Sequence, residues 1–285
     1  MSHKTGAILT EHLSSEFSKE FEKVSLSLPV SLSFDYKILS CLKYSDQTAA
    51  YLLYQKSSRQ KVLLKTACDP IFTEALTNEN YILNLINRQC KPDTAVFPVA
   101  LKLGELNGTY YFIRSYIQGH TLEELCESNY KKTGLPEGQA LLYITQVVKL
   151  LHFLHSLTPP VIHRDVKPQN VVVDAGGICH LIDLGISCHI PKRKRSDTPV
   201  MGTQATAPPE FFYKQTADVR SDLYSVGILL HYCVTGEYDI SPDSLCEFTP
   251  NVRTIIEKCT RKVPNERYQT AKELLQDLLL CTPFH

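Results

Sequence analysis

The spacing of apolar positions along the chain changes several times, and each change marks a predicted element. From Ile8 to Val24, Leu9, Leu13, Phe17, Phe21 and Val24 recur at three- and four-residue steps, with Ser, Glu and Lys on the remaining faces. That period predicts an amphipathic helix. Packing against the body of the protein is the plainer reading; a partner-binding or membrane-surface helix is the alternative. Pro29 and the Ser-rich stretch around it separate this segment from the rest of the chain. Residues 34–66 then alternate in short β-rich runs, Tyr36–Leu39, Ala50–Tyr54 and Lys61–Lys65, which predict strands. Helical spacing returns over Thr73–Asn87, where Glu79, Ile82, Leu83 and Ile86 share a face. Two more strands are predicted near Ala100–Leu103 and Tyr110–Ser115, and Thr121 opens a short capped helix. Pro136–His155 carries apolar residues on most faces and predicts a long buried helix. Later come the triplet Val171-Val172-Val173, an apolar helix headed by Asp222 and running to about Val234, and an amphipathic helix over Thr270–Leu280.

Composition narrows the function classes. The 285 residues suffice for two lobes with real cores. Lys plus Arg number 30 and so do Asp plus Glu, so no overall basic field points to nucleic acid or anionic lipid. The first thirty residues hold no apolar block of signal-peptide length, and no apolar run approaches a membrane span. Ten cysteines are scattered without a CxxC pair, which suits reduced thiols. The expectation is a soluble, cytoplasmic protein. The pairs Cys179-His180 and Cys188-His189 invite a zinc reading, but strand-end cysteines explain them better.

The chemistry concentrates in His163-Arg164-Asp165-Val166-Lys167-Pro168-Gln169-Asn170, between the apolar Val161-Ile162 and the Val171 triplet. These eight residues offer a carboxylate, an ammonium and an amide, with Pro168 stiffening the bend. Thirteen residues after Asn170 comes Asp183-Leu184-Gly185, again at the end of an apolar run. A proton acceptor, a cation, and an Asn/Asp pair able to hold a hard cation are the parts phosphoryl transfer needs. This octet resembles the catalytic loop of the protein kinase family, in its serine/threonine branch, and the wording looks most like bacterial members.

The resemblance covers roughly residues 34–280 and implies an α+β, bilobal kinase-like fold. A β-rich lobe would span 34–115 and a helical lobe 116–280, after an N-terminal extension over 1–33. It further implies ATP and Mg²⁺ as cofactors and a protein serine or threonine as acceptor, without nucleic acid or a membrane span. Asp165 would orient and deprotonate the hydroxyl, and Lys167 would balance charge on the moving phosphoryl group. Asn170 and Asp183 would hold the metal. Lys65 would position the phosphates, paired with Glu79, with Glu74 as the alternative partner. Leu42, Ala50, Ser115, Ile117 and Val172 would line the adenine. Gly202-Thr203 and Pro208-Pro209-Glu210 resemble the end of an activation segment, Arg267 fits the partner of Glu210, and Asp222 fits an anchor of the catalytic loop. The basic run Pro191–Pro199 reads as a solvated loop, a regulatory segment or an import signal; Thr198, or else Ser196, is the expected phosphorylation site, with Arg164 as its partner.

Three departures concern the nucleotide. The phosphate-covering turn holds Lys43, Ser45 and Thr48 where the family has glycines. Leu63 replaces the usual alanine above the purine, while Ala50 replaces a valine. Arg114 occupies the back wall of the pocket, unless a one-residue slip puts Ile113 there. A pseudokinase and a small-molecule phosphotransferase on the same fold are therefore the rival readings.

Overall fold

The computed structural model describes residues 30–89, 96–128, 134–189, 205–212 and 218–281. The helix expected over 8–24, the basic run 191–199 and Gly202-Thr203 lie outside the described residues. The chain divides into two compact units, one holding residues up to Phe72 together with Lys102–Tyr116, the other Thr73–Leu101 and everything from Ile117.

The first unit is a β-sheet. Its strands are β1 (Tyr36–Tyr44), β2 (Thr48–Gln55), β3 (Gln60–Ala67), β4 (Ala100–Leu106, in this unit from Lys102) and β5 (Thr109–Ser115), in the order β1-β2-β3-β5-β4. The β4–β5 turn uses Asn107 and Gly108 at φ of 51° and 80°, the backbone that lets a tight hairpin follow the strands' own twist. Alternation sends Tyr51, Leu53, Val62, Leu64 and Ile113 to one face, where they form a buried core with Leu32, Tyr36 and Ala49.

Leu32 belongs to a helical turn, α1 (Val30–Ser33), in the stretch expected to be a separator. It is held there by polar bonds that the local sequence pattern does not announce. Lys56 donates to the carbonyls of Ser33 (2.9 Å) and Phe34 (3.0 Å), and Asp35 accepts from the Ser57 backbone and hydroxyl and from Gln55.

The second unit is helical. Its longer helices are α2 (Pro70–Gln89, in this unit from Thr73), α4 (Glu137–Ser156), α6 (Val219–Thr235), α8 (Pro250–Cys259) and α9 (Ala271–Cys281). The shorter ones are α3 (Leu122–Glu127), α5 (Pro209–Phe212) and α7 (Pro242–Leu245). Periodicity had not announced α7 or α8. Thr121 and Glu124 form a capping box on α3, as its sequence predicts. The helix expected to start at Asp222 starts earlier: Asp218 is the N-cap and accepts from the Arg220 N–H at 2.8 Å. That places Asp222 in the helix's first turn, fully buried, where a carboxylate needs partners. Among the described residues no helix is long and apolar enough to cross a membrane.

Candidate active site

The octet 163–170 runs between β7 (Val161–Ile162) and β8 (Val171–Val173), both buried. β8 pairs with β6 (His120–Thr121) and β9 (Cys179–Leu181), and β7 pairs with β10 (Cys188–His189). Four short strands thus pin the loop's ends and those of the Asp183 segment. Gly119 allows a close approach to β8, since a Cβ there would lie 2.2 Å from the Val173 carbonyl oxygen.

Asp222 holds the loop's backbone. Its two carboxylate oxygens accept the N–H groups of His163 and Arg164, each at 2.8 Å, and His155 at the end of α4 adds a third bond at 2.9 Å. The anchoring role expected of Asp222 is therefore realised in the geometry, whereas the part of His155 was not read from the sequence. Arg164 sits at φ +69°, a region that L-residues rarely adopt. The two charge-assisted bonds to Asp222 hold it there.

Downstream, the polar side chains of the loop converge. Asp165 Oδ2 accepts from Lys167 Nζ at 2.7 Å and from Asn170 Nδ2 at 2.8 Å, and the Asn170 amide also donates to the Asp165 carbonyl at 2.9 Å. The Asp165 and Lys167 side chains keep 11% and 21% of their surface exposed, so the carboxylate is oriented yet reachable. Pro168 opens the one-turn helix Pro168–Asn170 that bends Asn170 back toward Asp165.

The second carboxylate, Asp183, sits at φ +64°. Its segment is tied to the loop twice. The Ile182 N–H donates to the Asn170 carbonyl at 2.9 Å, and the Ser187 hydroxyl donates to the His163 carbonyl at 3.1 Å. Asn78 of α2 adds bonds to this segment from the other side. Neither Ser187 nor Asn78 was legible as a site residue, because each acts through a backbone carbonyl far away in sequence.

The carboxylate–guanidinium pair expected between Glu210 and Arg267 is present and bidentate, at 2.8 Å on both arms. Both side chains are buried, at 4% and 0% exposed. Arg267 spends its remaining N–H groups on the carbonyls of Arg261, Lys262 and Arg220, and Ser221 donates to Glu210. Burial pushes the Glu210 carboxyl up, but the bonds from Arg267 and Ser221 and the guanidinium charge outweigh it and hold the group below its ordinary range.

In the sheet unit, cross-strand partners share a face, and register decides several expectations. Leu63 pairs with Arg114 and Lys65 with Phe112, so Leu63, Lys65, Phe112 and Arg114 face the same way. Ile113 points into the opposite core, which removes the one-residue slip. Ala50 lies across from Lys65 and Leu52 across from Leu63, so the small residue is diagonal to Leu63 rather than beside it. Leu63, Phe112 and Arg114 are buried, at 7%, 0% and 3% exposed. Leu42 falls where the β1–β2 register shifts and is half exposed. Ser115 ends β5 across from Val62, and Ile117 is where the chain returns to the other unit.

The glycine-free turn closes by other means. The Ser45 N–H donates to the Thr48 carbonyl at 2.8 Å, the Thr48 N–H donates to Ser45 Oγ at 3.1 Å, and the two hydroxyls lie 3.0 Å apart. These hydroxyls are spent inside the turn. On α2, Glu79 is buried at 1% exposed whereas Glu74 is exposed, which separates the two candidate glutamates. Val172 is buried in β8. The strand-end cysteines behave as such: burial pushes the Cys179 thiol up to about 12, and His180 bonds to Asp174 at 3.0 Å.

Residues 49–284 match the protein kinase domain model, which is more than half of the chain. The chain belongs to the protein kinase family. The β-rich and helical units are the α+β architecture that membership requires. A probable serine/threonine-protein kinase of Clostridium perfringens is 29% identical over 85% of this chain and 38% of its own length. Serine/threonine-protein kinase PrkC of Bacillus subtilis is 29% identical over 62% of this chain and 30% of its own. For PknB of Mycobacterium tuberculosis the figures are 30%, 59% and 30%. The chain thus aligns with about a third of the length of these curated relatives. Kinases of this family use ATP and Mg²⁺. The donor set here fits that metal: Asn170 commits its amide nitrogen to Asp165 and so presents its oxygen as the remaining acceptor. Among the described residues no three His, Cys, Asp or Glu side chains cluster as a metal cage. A cation that keeps waters and shares phosphate oxygens with its substrate needs no such cage.

Proposed function

We propose that this kinase domain transfers the γ-phosphoryl group of ATP to a serine or threonine hydroxyl of a protein. The observation that carries the reading is the Asp165 carboxylate, held by Lys167 and Asn170 on a loop whose backbone is anchored to Asp222. Asp165 orients the acceptor hydroxyl and takes its proton as the bond to phosphorus forms. Lys167, already beside that carboxylate, supplies the positive charge that the moving phosphoryl group needs. Asn170 and Asp183 would hold Mg²⁺, which would supply positive charge against the phosphates. The family resemblance assigns Lys65 to the α- and β-phosphates with Glu79 as its partner, and Ala50, Leu42, Ser115, Ile117 and Val172 to the adenine. Little covalent chemistry falls to the protein, so positioning carries the rate.

We also propose a cytoplasmic location, where ATP is available and the free cysteines stay reduced. Phosphorylation of Thr198, or else Ser196, would add about −1.5 to −2 charges, for which Arg164 is the proposed partner; the Arg164 Nε is buried without a hydrogen bond among the described residues. Transfer from radiolabelled ATP to a generic protein substrate, beside an Asp165→Asn control, tests the reading. Transfer equal in both preparations rejects the role of Asp165. No transfer together with no calorimetric ATP binding would overturn the reading in favour of a non-catalytic member of the family.

A further inference from the structure

The Asn78 side chain of α2 reaches a turn more than a hundred residues away in the sequence. Its amide nitrogen lies 2.7 Å from the Ser187 carbonyl oxygen, 2.9 Å from that of Gly185 and 3.3 Å from that of Leu184. An amide has two N–H groups, so it is shared among three acceptors of one turn, which closes on itself through the Ser187 N–H to the Leu184 carbonyl. The helix also sits directly on this turn. A Cβ at Gly185 would come within 3.4 Å of the Ala75 backbone and side chain.

The turn begins one residue after Asp183, whose backbone is in the left-handed region. Such a conformation persists only where its surroundings over-determine it. The bonds from Ile182 and Ser187 tie the segment to the catalytic loop. Those from Asn78 tie it to α2. Asn78 immediately precedes Glu79, and one helical residue turns the side chain by about 100°, so a single turn of α2 serves two directions. One side chain fastens the Asp183 segment, and the next is the buried carboxylate.

We propose that Asn78 is a positioning residue that makes the Asp183 segment move with α2. Any displacement of α2 must then either carry Asp183 along or break these bonds. Metal affinity at Asp183 and the placement of Glu79 are thereby set together. The catalytic half of this inference rests on the phosphotransfer reading; the structural half does not.

Asn78→Leu keeps the side chain's approximate volume and removes both donors. Hydrogen exchange of the nucleotide-free full chain is expected to accelerate roughly tenfold at the amides of residues 183–188, with α4 and α6 unchanged. Asn78→Ser, which keeps one donor, should give a smaller acceleration. In the active preparation, the Mg²⁺ concentration for half-maximal transfer should rise roughly tenfold, while KM for the protein substrate holds. Unchanged exchange at 183–188 would overturn the proposal. So would uniform acceleration across α4 and α6, which marks plain destabilisation, or an equal rise in KM for the protein substrate. Because the exchange measurement needs no turnover, local acceleration in a chain without phosphoryl transfer would sustain the tether and reject only the phosphotransfer reading.

Discussion

The catalytic loop and the β-sheet face that carries Lys65 solve opposite problems with opposite materials. Around the loop, rigidity comes from buried polar groups that bond to one another. Asp222 accepts three hydrogen bonds, Arg267 meets Glu210 and three carbonyls, and Asp165 is held by an ammonium and an amide. On the sheet, the same demand for rigidity is met with volume. Leu63, Phe112 and the stem of Arg114 are buried on the Lys65 face, and the turn that should present backbone N–H groups is closed by its own hydroxyls. A hydrogen-bonded loop fixes where atoms are, to within a bond length. An apolar face fixes only what space is left. The family's chemistry is therefore kept in the loop, while the departures gather where the nucleotide is expected to bind.

The comparison is broken most severely by removing one half of a buried ion pair. Arg267→Ala leaves the Glu210 carboxylate buried and unanswered, and urea unfolding should show a loss of about 3–5 kcal/mol. Replacing both partners, with Glu210→Leu and Arg267→Met, should cost far less than the single change; an equal or larger loss would show that the pair itself, not the orphaned charge, holds the segment.

Asp165→Asn comes next. It preserves size and fold but removes the proton acceptor, so the transfer rate should fall on the order of a hundredfold or more, with the melting temperature nearly unchanged. A variant retaining wild-type turnover in a clean preparation would end the mechanism proposed for the loop.

On the sheet side the expected change is a gain. Overfilling a packed site costs about 1–3 kcal/mol, so Leu63→Ala should tighten Mg·ATP binding by roughly 5- to 150-fold in calorimetry. Because Leu63 is buried, the same change should lower stability. Glycine at Ser45 or Thr48 should tighten binding further, since it frees the turn from its internal bonds. Tight binding by the native chain would mean that the face already accommodates the purine.

The smallest effect is one of pH and belongs to the helical unit. His231 is fully buried in α6, with its ring nitrogens 2.9 Å from the Glu237 carbonyl oxygen and 2.8 Å from the Ser244 hydroxyl. Burial lowers its pKa, against the raising effect of the Glu237 carbonyl and of the charges on Glu247, Asp239 and Glu237. The unfolded chain then binds more protons than the native one. Stability is full above the unfolded value of about 6.5 and declines as pH falls from there through the depressed native value. His231→Gln should flatten that part of the pH profile. A profile identical to wild type would assign the decline to other groups.

Periodicity sufficed to read the strands of the sheet and most of the longer helices, and the resemblance carried by the motifs supplied the order of the loop elements and the candidate set Asp165, Lys167, Asn170 and Asp183. These features are legible because each is local: a strand alternates, a helix repeats, and a loop packs its chemistry into eight residues. What the chain folds onto itself from far away was not legible. His155 on Asp222, Ser187 on His163 and Asn78 on the turn after Asp183 join residues 24 to 109 positions apart. Most of them do so through backbone groups, which leave no trace in side-chain pattern. Register is the other quantity that needed three dimensions. A slip of one residue exchanges the faces of a strand, and only the pairing of β3 with β5 put Arg114 beside Leu63 and sent Ile113 into the core. The sequence by itself determined which groups are available for phosphoryl transfer. Tertiary structure decided which of them are held, because holding them depends on hydrogen bonds and cross-strand contacts between segments distant in the chain.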